Sequence, residues 1–229
     1  MRIVKTLVAL MIAGGLSACA GTSTVTRSTD NAVAPLVPSE ITALSTTWNV
    51  LDVRVNVPDD LRVSEANRYY PFADIVRRED PYGDRHAQVA KILDDGLSRG
   101  LTHLNGDRAV YFDITLSRFH SLTEKARYSV GGVHHMVFSL TVVDALTNIP
   151  LHGPVEIELN LKAYGGAQAF EAERRGHTQK VRILSHLTGT MRRQFPGLGL
   201  PRQPASDVQV SRAAYDPLSP PEGWERVTR

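Results

Sequence analysis

The chain holds a single cysteine in 229 residues, almost no excess charge of either sign, and only 7% aromatic residues. One thiol can form neither an internal disulfide nor a thiolate-rich zinc site, so this is not a cysteine-stapled secreted module. The 26 Lys and Arg against 24 Asp and Glu leave a formal charge of +2, too little to imply a polyanionic partner. No apolar run is long enough to cross a bilayer, and no repeat recurs at the roughly 20–50-residue periods of solenoids and propellers. What is present, 42% hydrophobic and 22% charged residues, is the balance of an ordinary globular protein; it excludes collagen-like, wholly disordered and polytopic membrane classes.

The position of the one cysteine is the informative fact. Arg2 and Lys5 precede the apolar run from Leu7 to Ile12, and small residues follow, which is the layout of a secretory signal peptide. Taken generously from Thr6 to Leu16, the run rises about 17 Å as a helix against roughly 30 Å of bilayer core, so it targets the chain and does not span. The segment ends Leu16-Ser17-Ala18-Cys19, which resembles the lipobox of bacterial lipoproteins. The resemblance implies that residues 1–18 are a lipoprotein signal peptide, that the Cys19 thiol carries diacylglycerol, and that the mature chain starts there. An ordinary signal peptide cut after Ala18, leaving Cys19 free, is the alternative. Two or more acyl chains anchor stably because each buried CH₂ contributes about 0.8 kcal/mol. The family's inner-membrane retention signal is an Asp after the cysteine, and Ala20 stands there instead. The resemblance therefore implies a lipid-anchored protein on the periplasmic face of a Gram-negative outer membrane. Arg2 and Lys5 leave with the signal, so the mature chain has 24 basic and 24 acidic side chains, and the lipid supplies the attachment that charge does not.

Residues 19–46 read as the lipidated cysteine and a flexible tether rich in Ser, Thr and Pro, residues 47–195 as one periplasmic domain, and residues 196–229, with six of the thirteen prolines, as an extended tail. Within the domain, Leu51, Val53, Val55 and Val57 alternate with polar residues as a half-buried strand. Asp80-Pro81 or Asp84 can cap a helix with the apolar face Val89, Leu93, Leu97, Leu101 and Leu104, stopped at Asn105-Gly106-Asp107. Three further alternating runs follow: Val110 to Leu116, Met136 to Val142 and Val155 to Leu161. Asp144, Asn148 and Gly153 mark a hairpin between the last two. Phe170, His177, Val181, Leu184, Thr188, Met191 and Phe195 fall on one face of a single long helix. The expected fold is α+β: an antiparallel four-stranded sheet covered by two helices in the order β-α-β-β-β-α. That order is similar to those of small periplasmic lipoproteins and envelope-assembly accessory domains, a likeness of topology that carries no residue-level function.

The chemistry-bearing residues form no diagnostic constellation. His134 and His135 are adjacent in a strand and must face opposite ways, and His177 and His186 lie about 180° apart on a helix, so no metal and no cofactor are expected. There is no GxSxG or SxxK nucleophile, and Asp94-Asp95 diverge by about 100°; no enzymatic activity is expected. Gly131-Gly132 and Gly165-Gly166 flank strands without the phosphate-loop spacing, and an export signal argues against nucleic acid. The segment from Arg68 to Asp84, RYYPFADIVRREDPYGD, stands apart, because Tyr69, Tyr70, Phe72 and Tyr82 fall in a loop beside Arg77 and Arg78. Aromatic residues with arginine are the types enriched where partners bind, whereas the same rings could equally plug the open end of the sandwich. Three roles follow: a non-enzymatic lipoprotein that binds an envelope protein or other envelope component; a periplasmic carrier of a small or amphiphilic ligand; and an envelope hydrolase. An exposed aromatic loop favours the first, an apolar cavity between helices and sheet the second, and converging polar side chains in a cleft the third.

Overall fold

A computed structural model describes residues 36–197; the expected signal peptide and lipidation at Cys19, and the expected tail from residue 198, lie outside the described residues. Helix α1 (Ser39–Leu44) and a 3-10 turn (Ser45–Thr47) lead into β1 (Trp48–Asn56). There follow β2 (Ile75–Val76), α2 (Arg85–Leu101), β3 (Arg108–His120), α3 (Glu124–Arg127), β4 (Gly132–Asp144), β5 (Pro150–Ala163), α4 (Gly166–Arg174) and α5 (Gln179–Gln194). Val37 and Ile41 join the core and Leu36 packs against it, so residues 36–46, expected as tether, belong to the folded body.

The α+β class holds, but the sheet is mixed and not antiparallel throughout. Its order is β1-β3-β4-β5, with β2 pairing β3 beyond the end of β1. β1 runs parallel to β3, from Trp48 opposite Arg108 to Asn56 opposite Thr115. The cause is α2, which occupies the connection: a strand that returns to its own sheet through a helix comes back parallel. β3, β4 and β5 are antiparallel, and β4–β5 is the expected hairpin. Val110, Phe112, Ile114 and Leu116 of β3, Met136 to Val142 of β4, and Ile157 and Leu159 of β5 share one buried face under α2 and α5. Leu51, expected inside, stands out in solvent, because a bulge between Val50 and Asp52 adds a residue and turns it over.

The Asp84 carboxylate caps α2 by accepting from the Ala87 N–H at 3.0 Å, and Val89, Leu93, Leu97 and Leu101 are buried as the spacing predicts. The single long C-terminal helix is instead two. Gly176, at φ 77°, ends the first where a left-handed residue is needed, and the Thr178 hydroxyl caps the second. The break resets the face: Ile183, Leu187, Met191 and Phe195 are buried, whereas Phe170 and Val181 are exposed. α2 and α5 touch where α2 has only glycine. Thr188 Oγ1 donates to the Gly96 carbonyl at 2.9 Å, and a Cβ added to Gly100 would lie 2.5 Å from that of Met191.

These directions give the domain two distinct ends. The base gathers the start of β1, the C-terminal ends of α2 and α5, and the β4–β5 turn: Gly106 N–H donates to the Trp48 carbonyl, and His103 Nε2 lies 2.7 Å from the Phe195 carbonyl. The chain leads into the base from Val37 through α1. The crown gathers the ends of β2 and β3, the starts of α2 and α5, and the loop of residues 57–84.

Candidate binding loop

The crown loop is long, yet its backbone is tied down along its length. The Asp74 carboxylate accepts from the Arg62 N–H at 2.9 Å, which is the chief reason its carboxyl is held below the usual carboxylate range. Ser64 N–H donates to the Ile75 carbonyl, Thr123 Oγ1 to the Arg68 carbonyl at 2.8 Å, and Lys125 N–H to Asn67 Oδ1 at 2.8 Å. His86 Nε2 lies 3.0 Å from the Leu61 carbonyl and His120 Nε2 lies 2.8 Å from that of Ala73.

Beneath these bonds lies an ion-pair network that includes Arg77 and Arg78, the two arginines expected to take part in binding. Arg77 is fully buried. Its Nη1 donates to Glu79 Oε2 at 2.9 Å and its Nε to Asp80 Oδ2 at 3.0 Å. The Glu79 carboxylate also accepts from the Gln179 and Lys180 N–H groups at 2.9 and 2.7 Å, satisfying free donors at the start of α5, where a negative charge also meets the helix dipole favourably. Burial works against the Asp80 charge, but Arg77 and the Lys180 ammonium at 3.1 Å outweigh it and keep its carboxyl low. Arg78 donates from Nε to Glu124 at 2.5 Å and also reaches Glu65. Burial opposes the Glu124 charge, but the Arg78 hydrogen bond, a backbone N–H and the charges of Arg78 and Arg127 together outweigh it and keep its carboxyl low. The buried Arg85 donates from Nε to Glu65 Oε1 at 2.6 Å. Arg77 and Arg78 therefore fasten the loop, a correction to their expected part in binding.

The rings behave otherwise. Tyr70 is 85% exposed, Phe72 91% and Tyr82 87%, and Tyr69 is half exposed with the Lys125 ammonium 4.9 Å from its ring centre. The alternative of a plug fails, because Ala73, Ile75, Val76 and Phe119 close that end of the core instead. A second aromatic feature lay unnoticed in the sequence: Tyr128 stacks on Phe170 with centroids 4.8 Å apart. Phe170 falls on the expected apolar helix face and Tyr128 in no expected element, so nothing in their spacing marks the pair.

His134 and His135 do face opposite ways. His135 reaches Glu158 at 3.1 Å on the open face, while His134 is fully buried and neither of its ring nitrogens meets a hydrogen-bond partner among the described residues. Burial first, then the charges of Arg182, Arg77, Arg127 and His186, push its pKa down to about 3. The unfolded chain takes up this proton near pH 6.5, while the folded one refuses it, so the contribution to stability is full above 6.5 and lost as pH falls toward 3. Between pH 7 and pH 5 the wild type should lose about 2 kcal/mol more stability than His134→Leu, read from denaturant melts. An equal loss in both would refute the assignment.

A shallow pocket of about 10 Å³, room for about one water, opens to solvent beside α4, lined by Arg127, Tyr164, Glu173, His177 and Arg182. Glu173 there is paired with Arg127, and Arg182 lies over the Tyr164 ring at 3.7 Å. Between sheet and helices the space is filled by Phe112, Phe138, Ile183 and Leu187, all fully buried. Among the described residues no cluster of three His, Cys, Asp or Glu is placed to hold a metal ion, and no helix is long and apolar enough to cross a membrane.

A family model described as a family of unknown function (DUF6778) matches residues 48–210. No curated protein matches the chain. Among solved structures the chain is similar to a protein described as a "putative lipoprotein from Caulobacter crescentus CB15", at 14% identity, over 44% of this chain and 76% of that one, with a TM-score of 0.24.

Proposed function

We propose, for a chain that belongs to the family of unknown function DUF6778 and takes no activity from that membership, a role as a non-enzymatic envelope lipoprotein. Lipidated Cys19 anchors it in the outer membrane, the α+β domain stands in the periplasm, and the crown loop binds another envelope component. The observation that carries this reading is the display of Tyr70, Phe72 and Tyr82 in solvent on a loop whose backbone is pinned from below. Rings held this way bring large contact area while little order remains to be lost on binding, and loops on rigid scaffolds are where recognition concentrates. Function as a ligand carrier draws less support, since side chains fill the space between sheet and helices. Hydrolysis draws less too, since the carboxylate in the α4 pocket is already engaged by Arg127.

Tyr70→Ala with Phe72→Ala should reduce capture of the partner from solubilised envelopes by at least about tenfold while leaving the cooperative melt intact. A lost melt would return the rings to the core and contradict the reading. Cys19→Ser should abolish lipid labelling and release the chain into the soluble periplasm; unchanged membrane association would contradict the anchor.

A further inference from the structure

We propose that the base is a second membrane contact, at which Leu146 and Ile149 of the β4–β5 turn, flanked by arginines at the ends of α2 and α5, enter the surface of a phospholipid bilayer. The setting rests on the lipid anchor proposed above. Leu146 is 93% exposed and Ile149 60%, and neither belongs to the core. Their turn is rigid for reasons independent of these side chains. The Asp144 carboxylate accepts from the Leu146 and Thr147 N–H groups at 3.0 Å each and pairs with Arg108 at 3.0 Å. Asn148 adopts φ 55° and accepts from Arg54 at 3.2 Å. Polar atoms thus hold two apolar side chains outward at the extreme of the domain, and a preformed tip loses little freedom on entering an interface.

The surroundings suit anionic headgroups. Arg99 closes α2, Arg192 and Arg193 close α5, and all three are exposed at the base; none is in an ion pair among the described residues. Glu40 and Asp107 are exposed acids on the segments that adjoin the base, Asp94 is exposed further up α2, and Asp144 is already paired with Arg108. Basic groups at a membrane surface are drawn to anionic lipid, and exposed leucine and isoleucine gain by leaving water.

The occupant follows from where the chain enters. Leu36 lies 17 residues after Cys19, a separation of at most about 60 Å, and it leads straight into the base through α1. An acylated Cys19 keeps the bilayer within reach of this end, so a weak intrinsic affinity becomes a lasting contact through effective concentration. β3 spans 13 residues, about 43 Å, and carries the crown loop away from the base toward a partner.

The test uses the mature chain with Cys19→Ser, so that no acyl chain contributes, and vesicles of phosphatidylethanolamine and phosphatidylglycerol. The parent should sediment with the vesicles. Leu146→Asp with Ile149→Asp should weaken this about tenfold at an unchanged melting temperature, and Tyr70→Ala with Phe72→Ala should leave it unaltered. Three results would overturn the proposal: no vesicle binding by the parent, as expected if the base docks a protein; equal binding by the tip variant; or loss in the crown variant instead. Palmitate labelling of the unaltered chain reads the anchor separately. Absent labelling with tip-dependent vesicle binding would remove the anchor and keep the tip, whereas labelling with tip-independent binding would do the reverse.

Discussion

Arg77→Met should lower folding stability by about 3–5 kcal/mol and loosen the crown loop, the largest effect of any single polar substitution in the domain. The guanidinium is wholly buried between two carboxylates that are themselves mostly buried, with side-chain exposures of 13% for Glu79 and 17% for Asp80. Removing it takes away one of the two cations that each acid faces, the others being Arg127 at 3.5 Å from Glu79 and Lys180 at 3.1 Å from Asp80. Lys180 still holds Asp80 and two α5 N–H groups still hold Glu79, which favours the lower end of the range. The loop should respond along with the fold, because residues 77–80 connect it to α5: amide exchange at Ser64, Asp74 and Ile75 should quicken in the variant. Adding Glu79→Gln to Arg77→Met should restore part of the loss by removing one stranded charge. Arg78→Met makes the contrast, since its partners Glu65 and Glu124 are partly solvated and can turn to water; about 1 kcal/mol is expected. A change at Arg77 of no more than about 0.5 kcal/mol, the range of ordinary surface substitutions, would contradict the network.

Gly100→Leu should cost about 3 kcal/mol, although leucine is the better helix former by nearly 1 kcal/mol. A Cβ there would sit 2.5 Å from Met191 Cβ and 2.8 Å from the Thr188 carbonyl oxygen; the latter is backbone and cannot swing aside. The two helices must separate, and the buried row of Ile183, Leu187 and Met191 loses its contact with α2. Gly189 supplies the control within the same helix pair. Its nearest obstacle is the mobile end of Arg193 at 3.1 Å, so Gly189→Ala should be neutral or stabilising by up to about 1 kcal/mol. If both substitutions prove neutral in urea melts, the close crossing of α2 and α5 is wrong.

Much of the fold was legible because burial on one face leaves alternation in the sequence. The runs of β3, β4 and β5 and the β4–β5 hairpin follow from spacing alone, whereas the choice of Asp84 over Asp80-Pro81 as the α2 cap needs the structure. Alternation reports a face and not a direction, so the expected antiparallel sheet misses the parallel pairing of β1 with β3, although the expected helix between them is the connection that makes it parallel. It also fails where one residue is added: the bulge at Leu51 and the break at Gly176 each turned the expected face around. At the crown, the rings were visible as a cluster, but composition cannot say whether a loop aromatic faces in or out. Arg77 stands beside the loop rings in sequence, which suggests binding, yet its side chain is fully buried. Its burial depends on Glu79 and Asp80 next to it and on N–H groups of α5 that lie 100 residues away from Glu79 in the chain, a meeting that only the fold creates.

Cross-linking from the crown in intact envelopes tests the central claim most directly. With a photoreactive residue in place of Phe72 in the lipid-anchored chain, a discrete adduct to one envelope component is expected. The same residue at Glu158, exposed on the open face of the sheet, should give none. Equal adducts from both positions, or none from position 72, would contradict a role in which the crown loop is the binding surface.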